Sequence, residues 1–547
     1  MAKASLYKVV VRIEPYMRFG EKIVNQNLEG QRSHGYTSFP SGYYFAATNH
    51  TKYQGYHVHT PSGFEKVIDS LSFTEGPKKI IREGQRLTYV FEDNKVTLRI
   101  ENGAIHIEAT NPVTIQVDLD NRLIDQRPTW GRTYEVKQNE DATKITYTHQ
   151  DRQRELRVLN AAFEPLENWV EKQYEYDERR GDHESLYVYR AGNIHVQRNA
   201  TITLPQGCVE EENHPLSEWE TPTGICAGHP WFYQPWSRDE VISVEPLIRR
   251  GYHARAAEAL RKYLEPHHAA KEDGSLASAD AVGWLAKRYH QLFNERPKNP
   301  VFDAPRVYSF FKEIVERSNV PKLVHNKALE TWMDTQGSTD DTRSGVRVEI
   351  QFGYLAILRL LHVLGEHLDK PTLGSTYSAY KKRVRDALLN DDILIDGVGD
   401  DTVRPNVFLA WYLARQALHK EEWEATFDSV LRSCWQDWGG LSSISKNHAL
   451  YKGTHTGVDN ESYHRGDSWY YVNNIAAIAL WKTNRQRYLK YVEKIRSASL
   501  EDYFYLGAIG ACSEISSAEQ QESFGCFSQA WSYSTLDELL AKTLVEA

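Results

Sequence analysis

The chain has 547 residues, 41% hydrophobic, 25% charged and 12% aromatic, with a net charge of −9 at neutral pH. That is the balance of a soluble protein with a sizeable core, and the length exceeds one ordinary domain. The acidic balance without a basic stripe argues against nucleic-acid and anionic-lipid partners, and no apolar run of about 18 residues predicts a membrane-spanning helix.

The opening stretch, MAKASLYKVVVRIEPYMRFG, lacks the long uncharged apolar segment of a secretory leader. Residues 1–205 then read as β-structure. KVVVRIE (8–14), KVTLRIE (95–101), AIHIEA (104–109), TIQVDLD (114–120), KITYTHQ (144–150) and NIHVQRNATITLP (193–205) are short, rich in β-branched residues and partly alternating. Turn residues separate them and no long helical pattern intervenes, which predicts an antiparallel β-sandwich rather than βαβ units.

After about residue 220 the period changes to that of helices. Apolar residues recur at helical spacing over 241–264, 278–293, 348–368, 404–419, 423–435 and 470–484, with prolines and glycines between, as in YLEPHH, DKPTLG and WGGLSS. Ten or more such helices over 206–547, without a short repeat period, predict a toroid of helical hairpins. No flexible linker separates the two modules, so they are expected to pack closely. Five cysteines (Cys208, Cys226, Cys434, Cys512, Cys526) are odd in number and lack CxxC spacing. Neither a zinc site nor a disulfide framework is expected, and a reducing, cytoplasmic setting fits.

Twelve of the 14 tryptophans lie at or after Trp219, several beside charged residues in loops. Tryptophan commonly fills cores, but flat rings flanked by hydrogen-bonding side chains also suit a sugar, with its apolar C–H faces and many hydroxyls. In GHPWFYQPWSRDE (228–240) the aromatics run directly into Arg238 and Asp239 before a helix expected from about Val241. Such a pair is an ordinary helix start, yet both residues also offer two-pronged hydrogen bonds to neighbouring hydroxyls.

ETWMDTQGSTDDTRSGVRVEIQ (330–351) sets Trp332 and Asp334 in a polar loop and Glu349 in an apolar helical run, where an acid is either ion-paired or pushed upward in pKa by burial. GVDNESYHRGDSWYYVNN (457–474) gathers Asp459, Glu461, His464, Arg465 and Asp467 around Tyr463 and Trp469. A single histidine among these acids lacks the spacing of a metal site. Near the end, Glu514 stands between small residues ahead of Gln529-Ala530-Trp531-Ser532. No GxSxG elbow, Walker A loop or nucleotide-binding glycine pattern occurs, which removes support for acyl and phosphoryl transfer.

Two carboxyl groups between aromatic walls are what glycoside hydrolysis requires, one to protonate the leaving oxygen and one to activate water or attack the sugar. On the residues alone the pair stays open among Asp239, Asp334, Glu349, Asp467 and Glu514.

Together AGHPWFYQPWSRDEV, TWMD with RSGVRVEIQ, TVRPNVFLAWYLA, WGGLSS, SYHRGDSWYYVNNIAA and GAIGACSEISS…GCFSQAWS resemble the glycogen-debranching amylo-α-1,6-glucosidase family in its short prokaryotic form. The resemblance runs over about 224–536, in order. It implies an (α/α)6 barrel after the β-sandwich, removing α-1,6-linked glucose from an α-glucan with inversion and without a cofactor or metal. It places the general acid at Asp334 and the general base at Glu514, with Asp467 as the second choice for base. It puts Arg238, Asp239, Glu349, His464 and Asp467 around the terminal glucose, with Trp236, Trp332 and Trp469 as walls. Related barrels cut α-1,4 or α,α-1,1 bonds, or use phosphate, and a non-catalytic glucan-binding protein is the alternative from another class.

Overall fold

The computed structural model describes residues 23–24, 34–39, 42–101, 103–124, 131–149, 152–205, 214–265, 278–295, 302–338 and 342–544. Two sheets account for the β-patterned part. The first runs in the spatial order Ile23–Val24, Lys79–Glu83, Arg86–Val90, Lys95–Glu101, Ala104–Ala109, Asn199–Thr203, Arg152–Leu159, Ala142–His149 and Thr133–Gln138. Its strands alternate as a half-buried sheet should. In Lys95–Glu101 the residues Val96, Leu98 and Ile100 face inward and meet Ala109, Ile107 and Ile105 across the antiparallel ladder.

The second sheet runs Ala162–Lys172, Leu186–Val196, Val113–Leu123, Gly63–Phe73, Gly55–Thr60, Gly42–Ala46, His34–Phe39 and Ala508–Ile509. All its pairings are antiparallel except the last, where His34–Phe39 lies parallel to Ala508–Ile509 from the far end of the chain. Val58, Ile68 and Leu119 of this sheet share one core with Leu98, Ile107 and Ile202 of the first.

Several strands escape the alternation rule. Gly63–Phe73 buries Lys66 and Asp69 completely, and Val113–Leu123 buries Asp118 and Asp120, so the polar face of this sheet is as dry as its apolar face. A short helix, Glu175–Arg179, follows the sheet's edge strand and was not expected in this region. The strand expected over 8–14 lies outside the described residues, as does Cys208.

The helical part is organised by hydrophobicity. Six helices form a closed circuit of contacts: Ser237–Ser243, Ala281–Asn294, Val348–His367, Asn406–Ala414, Tyr470–Glu501 and Ala530–Leu544, the last packing back on the first. The most apolar sequences, Val348–His367 and Asn406–Ala414, are among them; every residue of Asn406–Ala414 is buried, as expected for a helix that is hydrophobic all round. Val348–His367 is long and apolar enough to cross a membrane by length and composition, but it lies buried among these helices.

The remaining helices are one-sided. Ala304–Arg317 buries Val307, Tyr308, Phe311 and Val315, and Lys420–Cys434 buries Trp423, Phe427, Val430 and Leu431. The stretch 241–264 divides into three short helices because Pro246 starts a new one at Glu245–Arg249 and Gly251 ends it, with His253–Arg261 following. Tyr470–Glu501 breaks at Asn484, whose backbone is non-helical.

Candidate active site

The motif loops are tied to one another by very short strands. Gly228–His229 pairs with Ser528–Gln529, which joins the aromatic-rich loop to the start of the last helix. Ser468–Trp469 pairs with Ile515–Ser516, which pairs in turn with Ser523–Phe524. Glu514, Trp469 and the loop before it are thereby fixed against each other although they are distant in sequence.

Arg238 lies in the first turn of Ser237–Ser243, which starts earlier than the sequence pattern indicates because Trp236 takes the N-cap position. Its buried guanidinium is engaged through all three nitrogens: Nε reaches both oxygens of Asp280 at 2.9 and 3.0 Å, Nη1 donates to Asp334 Oδ2 at 2.9 Å, and Nη2 donates to Ser278 Oγ at 2.6 Å and to the Thr331 carbonyl at 3.0 Å. A fork so fully engaged acts as a fixed scaffold for the Asp334 carboxyl.

Asp334 keeps 40% of its side chain exposed. Burial pushes its pKa upward, but the Arg238 cation and the adjoining His464 hold it below the ordinary value. His464 Nε2 stands 3.6 Å from Asp334 Oδ1. Its ring stacks on Trp469 at 4.9 Å and meets the edge of Trp332 at 5.3 Å. Burial lowers its pKa, against the pull of Asp334.

Glu514 is buried. Tyr463 Oη donates to its Oε1 at 2.5 Å and the Cys526 backbone N–H to its Oε2 at 2.9 Å. Gly525 makes this approach possible: it has φ +70°, and a Cβ there would stand 2.3 Å from Glu514 Oε2. Burial raises Glu514 to about 7 in spite of both donors. Asp239, in the same helical turn as Arg238, is pushed by burial to about 8; Arg238 opposes the rise, whereas the charges of Asp334 and Glu514 add to it. Asp239, Asp334 and Glu514 are therefore one electrostatic cluster.

Of the other residues singled out from sequence, Trp332 and Trp469 are buried in an edge-to-face pair 5.2 Å apart, and Trp236 is half exposed. Glu349 is ion-paired: both its oxygens accept from Arg343, at 2.6 and 3.1 Å. Arg343 also holds Asp396 and donates to Thr331 Oγ1 at 2.9 Å, so this ion network braces the loop that carries Asp334. Asp467 accepts through Oδ2 from Ser462 at 2.8 Å and lies 2.7 Å from His455 Nδ1, while its Oδ1 is buried without a partner among the described residues.

Sequence reasoning missed Asp280, Ser278, Tyr463, Asp396 and Asn406, whose Oδ1 accepts from Trp332 Nε1 at 2.8 Å. Their only signal was proximity to the motifs. Both ring nitrogens of His464, the Tyr471 hydroxyl, Trp531 Nε1 and Thr335 Oγ1 are buried without a hydrogen-bond partner among the described residues. A polyhydroxylated ligand is the kind of molecule that satisfies such a set. No group of three or more His, Cys, Asp or Glu side chains suited to a metal ion occurs among the described residues. Surface depressions of about 490 and 470 Å³ lie on the sheet region, away from these carboxylates.

Carboxyl groups with displaced pKa values, near buried tryptophans and unsatisfied polar atoms, are the equipment of a glycoside hydrolase, the class in which the family match places the chain. The chain belongs to the amylo-alpha-1,6-glucosidase family, whose model matches residues 207–538, more than half of its length. No curated protein matches it. Among solved structures it is similar to a GH63 mannosylglycerate hydrolase from Thermus thermophilus in complex with glucose, at 12% identity and TM-score 0.42, covering 58% of this chain and 94% of that one. An uncharacterized conserved protein from the same organism gives 12% identity and TM-score 0.39, covering 58% and 94%.

Proposed function

We propose that the protein is an exo-glucosidase that removes α-1,6-linked glucose from branched α-glucans with inversion, and that its helical ring is an (α/α)6 barrel. The observation that carries the reading is that Asp334 and Glu514, both within the matched residues, are joined by a chain of contacts: His464 stands beside Asp334 and stacks on Trp469, whose indole donates to the carbonyl of Tyr463, the residue whose phenol donates to Glu514. In this reading Asp334 protonates the glycosidic oxygen and Glu514 draws a proton from water on the opposite face of the ring.

Glu514 suits a base: two donors orient it as an acceptor, and a value near 7 matches a general base working at neutral pH. Asp334 becomes an acid when substrate covers its exposed carboxyl, because desolvation disfavours the anion. The proton affinities of the ligand-free site, Glu514 raised and Asp334 lowered, favour a second reading with the two roles exchanged. The four described cysteines are buried and unbridged, which supports a reducing compartment as part of the proposal.

Glucose release is measured from a limit dextrin with single-glucose stubs, panose, maltopentaose and trehalose, using wild type, Asp334→Ala and Glu514→Ala. Fast release from the α-1,6 stubs, falling by about 10²–10⁴-fold in either variant, is expected. Release mainly from maltopentaose or trehalose moves the function to an α-1,4- or α,α-1,1-glucosidase. α-Glucosyl fluoride decides the roles, since departing fluoride needs no acid. Asp334→Ala then keeps its activity and Glu514→Ala does not; the reverse result exchanges the roles.

A further inference from the structure

Helix Glu175–Arg179 leaves the sheet region and ends against the Glu514 segment. It is held from behind: the Glu175 and Tyr176 N–H groups donate to the carbonyls of Asn49 and His50 at 3.2 and 2.9 Å. The Asp177 carboxylate accepts from Thr51 Oγ1 at 3.1 Å and from the Lys52 N–H at 2.6 Å. Arg180 follows at the C-cap. Its carbonyl accepts from the Val458 N–H at 3.0 Å, and Gly457 packs so close that a Cβ there would stand 2.5 Å from that oxygen. The backbone of Arg180 is thus clamped between the sheet region and the loop that carries Tyr463, His464 and Asp467.

The guanidinium lies 4.0 Å above the ring centre of Trp231 and 5.6 Å from that of Tyr176. The Tyr176 hydroxyl in turn donates at 3.4 Å to the carbonyl of Gly525, the residue that abuts Glu514 Oε2. Asp177 and Asp182, which also feel the Arg180 charge, are hydrogen-bonded to other groups, Asp177 as above and Asp182 to Lys52 Nζ at 2.6 Å. Arg180 Nε is buried without a hydrogen-bond partner among the described residues. A cation fixed on an aromatic face keeps its charge available to a carboxylate nearby.

We propose that Arg180 is a positioning residue for Glu514: stacked on Trp231, it is the cation that the sheet region presents to the catalytic carboxylate. The inference rests on Glu514 as the base in the reading above. The phenol of Tyr463 and the Cys526 N–H contact Glu514 directly, and the groups coupled to it by charge include the Cys526 thiol, the phenol of Tyr176, the Asp239 carboxyl, His455 and Arg180. Burial raises Glu514, and Arg180 and His455 are the two basic residues that draw it back toward the anion. His455 is tied to Asp467, which leaves Arg180 as the cation whose charge acts on Glu514.

The test reads Glu514 directly and needs no substrate. The Tm of the full-length protein is measured from pH 5 to 9 with and without Glu514→Gln, and the midpoint of the difference reports the titration of Glu514. In an Arg180→Gln background the midpoint is expected to rise by about one pH unit, and in Arg180→Lys, which keeps the charge, by less than half of that. In parallel, kcat/KM of Arg180→Gln at pH 6 falls about ten-fold and recovers toward pH 8. A midpoint unchanged by Arg180→Gln, or no step in the wild-type difference curve, overturns the proposal and leaves Arg180 as packing on Trp231. If the midpoint moves while wild type releases no glucose from any α-glucoside, the debranching reading fails and the Arg180–Glu514 coupling stands.

Discussion

Two buried charge clusters, one in the sheet region and one among the motif loops, use the same kinds of residue to opposite ends. In the sheets, Asp69, Asp118 and Asp120 are surrounded by cations. Lys66 and Lys172 hold Asp69 at 2.6 and 2.8 Å, Lys172 and Arg190 hold Asp118, and Arg122 and Arg132 hold Asp120 at 2.9 and 2.8 Å. Burial pushes Asp69 and Asp120 upward, yet the cations win and both stay below the ordinary carboxylate value. Around Asp239 and Glu514 the balance is reversed: Arg238 is shared between Asp280 and Asp334, which stays below its ordinary value, while Asp239 and Glu514 rise to about 8 and 7. Full compensation makes a scaffold; a deficit of cations stores protons, which is what acid–base chemistry draws on.

The contrast breaks first in the scaffold. Asp69→Asn strands Lys66 and Lys172 next to a neutral amide in a dry site and is expected to cost about 3–5 kcal/mol of unfolding free energy, measured by chemical denaturation. A loss below about 1 kcal/mol would mean that the sheet cluster is not the compensated network described here.

A subtler probe acts on the proton-storing side. Asp239 binds its proton more tightly folded than unfolded, so wild type loses stability as pH rises from the ordinary carboxylate range through about 8. Asp239→Asn does not titrate, and its Tm relative to wild type is expected to climb between pH 5 and 8 and then level off. A flat difference across that range would place Asp239 with the compensated carboxylates.

The smallest effect is expected at the rim. Trp236 is 48% exposed, and Trp236→Ala should leave stability within about 0.5 kcal/mol while raising KM several-fold at unchanged kcat, as loss of uniform substrate contact does. An equal fall in kcat would draw Trp236 into the transition-state machinery.

Much of this was legible in the sequence where local pattern carries the information. Strands such as Lys95–Glu101 alternate, the inner helices Val348–His367 and Asn406–Ala414 are largely apolar, and the motif loops are dense in aromatics and charge. The polar face of the second sheet was not legible, because Lys66 and Asp69 read as surface residues until Lys172 and Tyr174 are seen to close over them. Glu349 is marked by its motif, but its ion network was not legible, since Arg343 lies just before it in sequence while Asp396, which shares that arginine, does not. Tyr463 and Arg180 carry no pattern of their own; each matters through a partner that only the fold brings near.

The parallel pairing of His34–Phe39 with Ala508–Ile509 bears on how the molecule is made. The sheet region emerges from the ribosome first, yet one of its edges waits for a strand synthesised hundreds of residues later, just before Glu514. Contacts of such sequence separation form late and slowly. Until they form, that edge is open to mispairing, and the site gains its Glu514 segment only as the edge is closed. Closure of the edge and the arrival of the Glu514 segment are then one event, so a chain cut short by a few dozen residues leaves both an uncovered edge and an incomplete site.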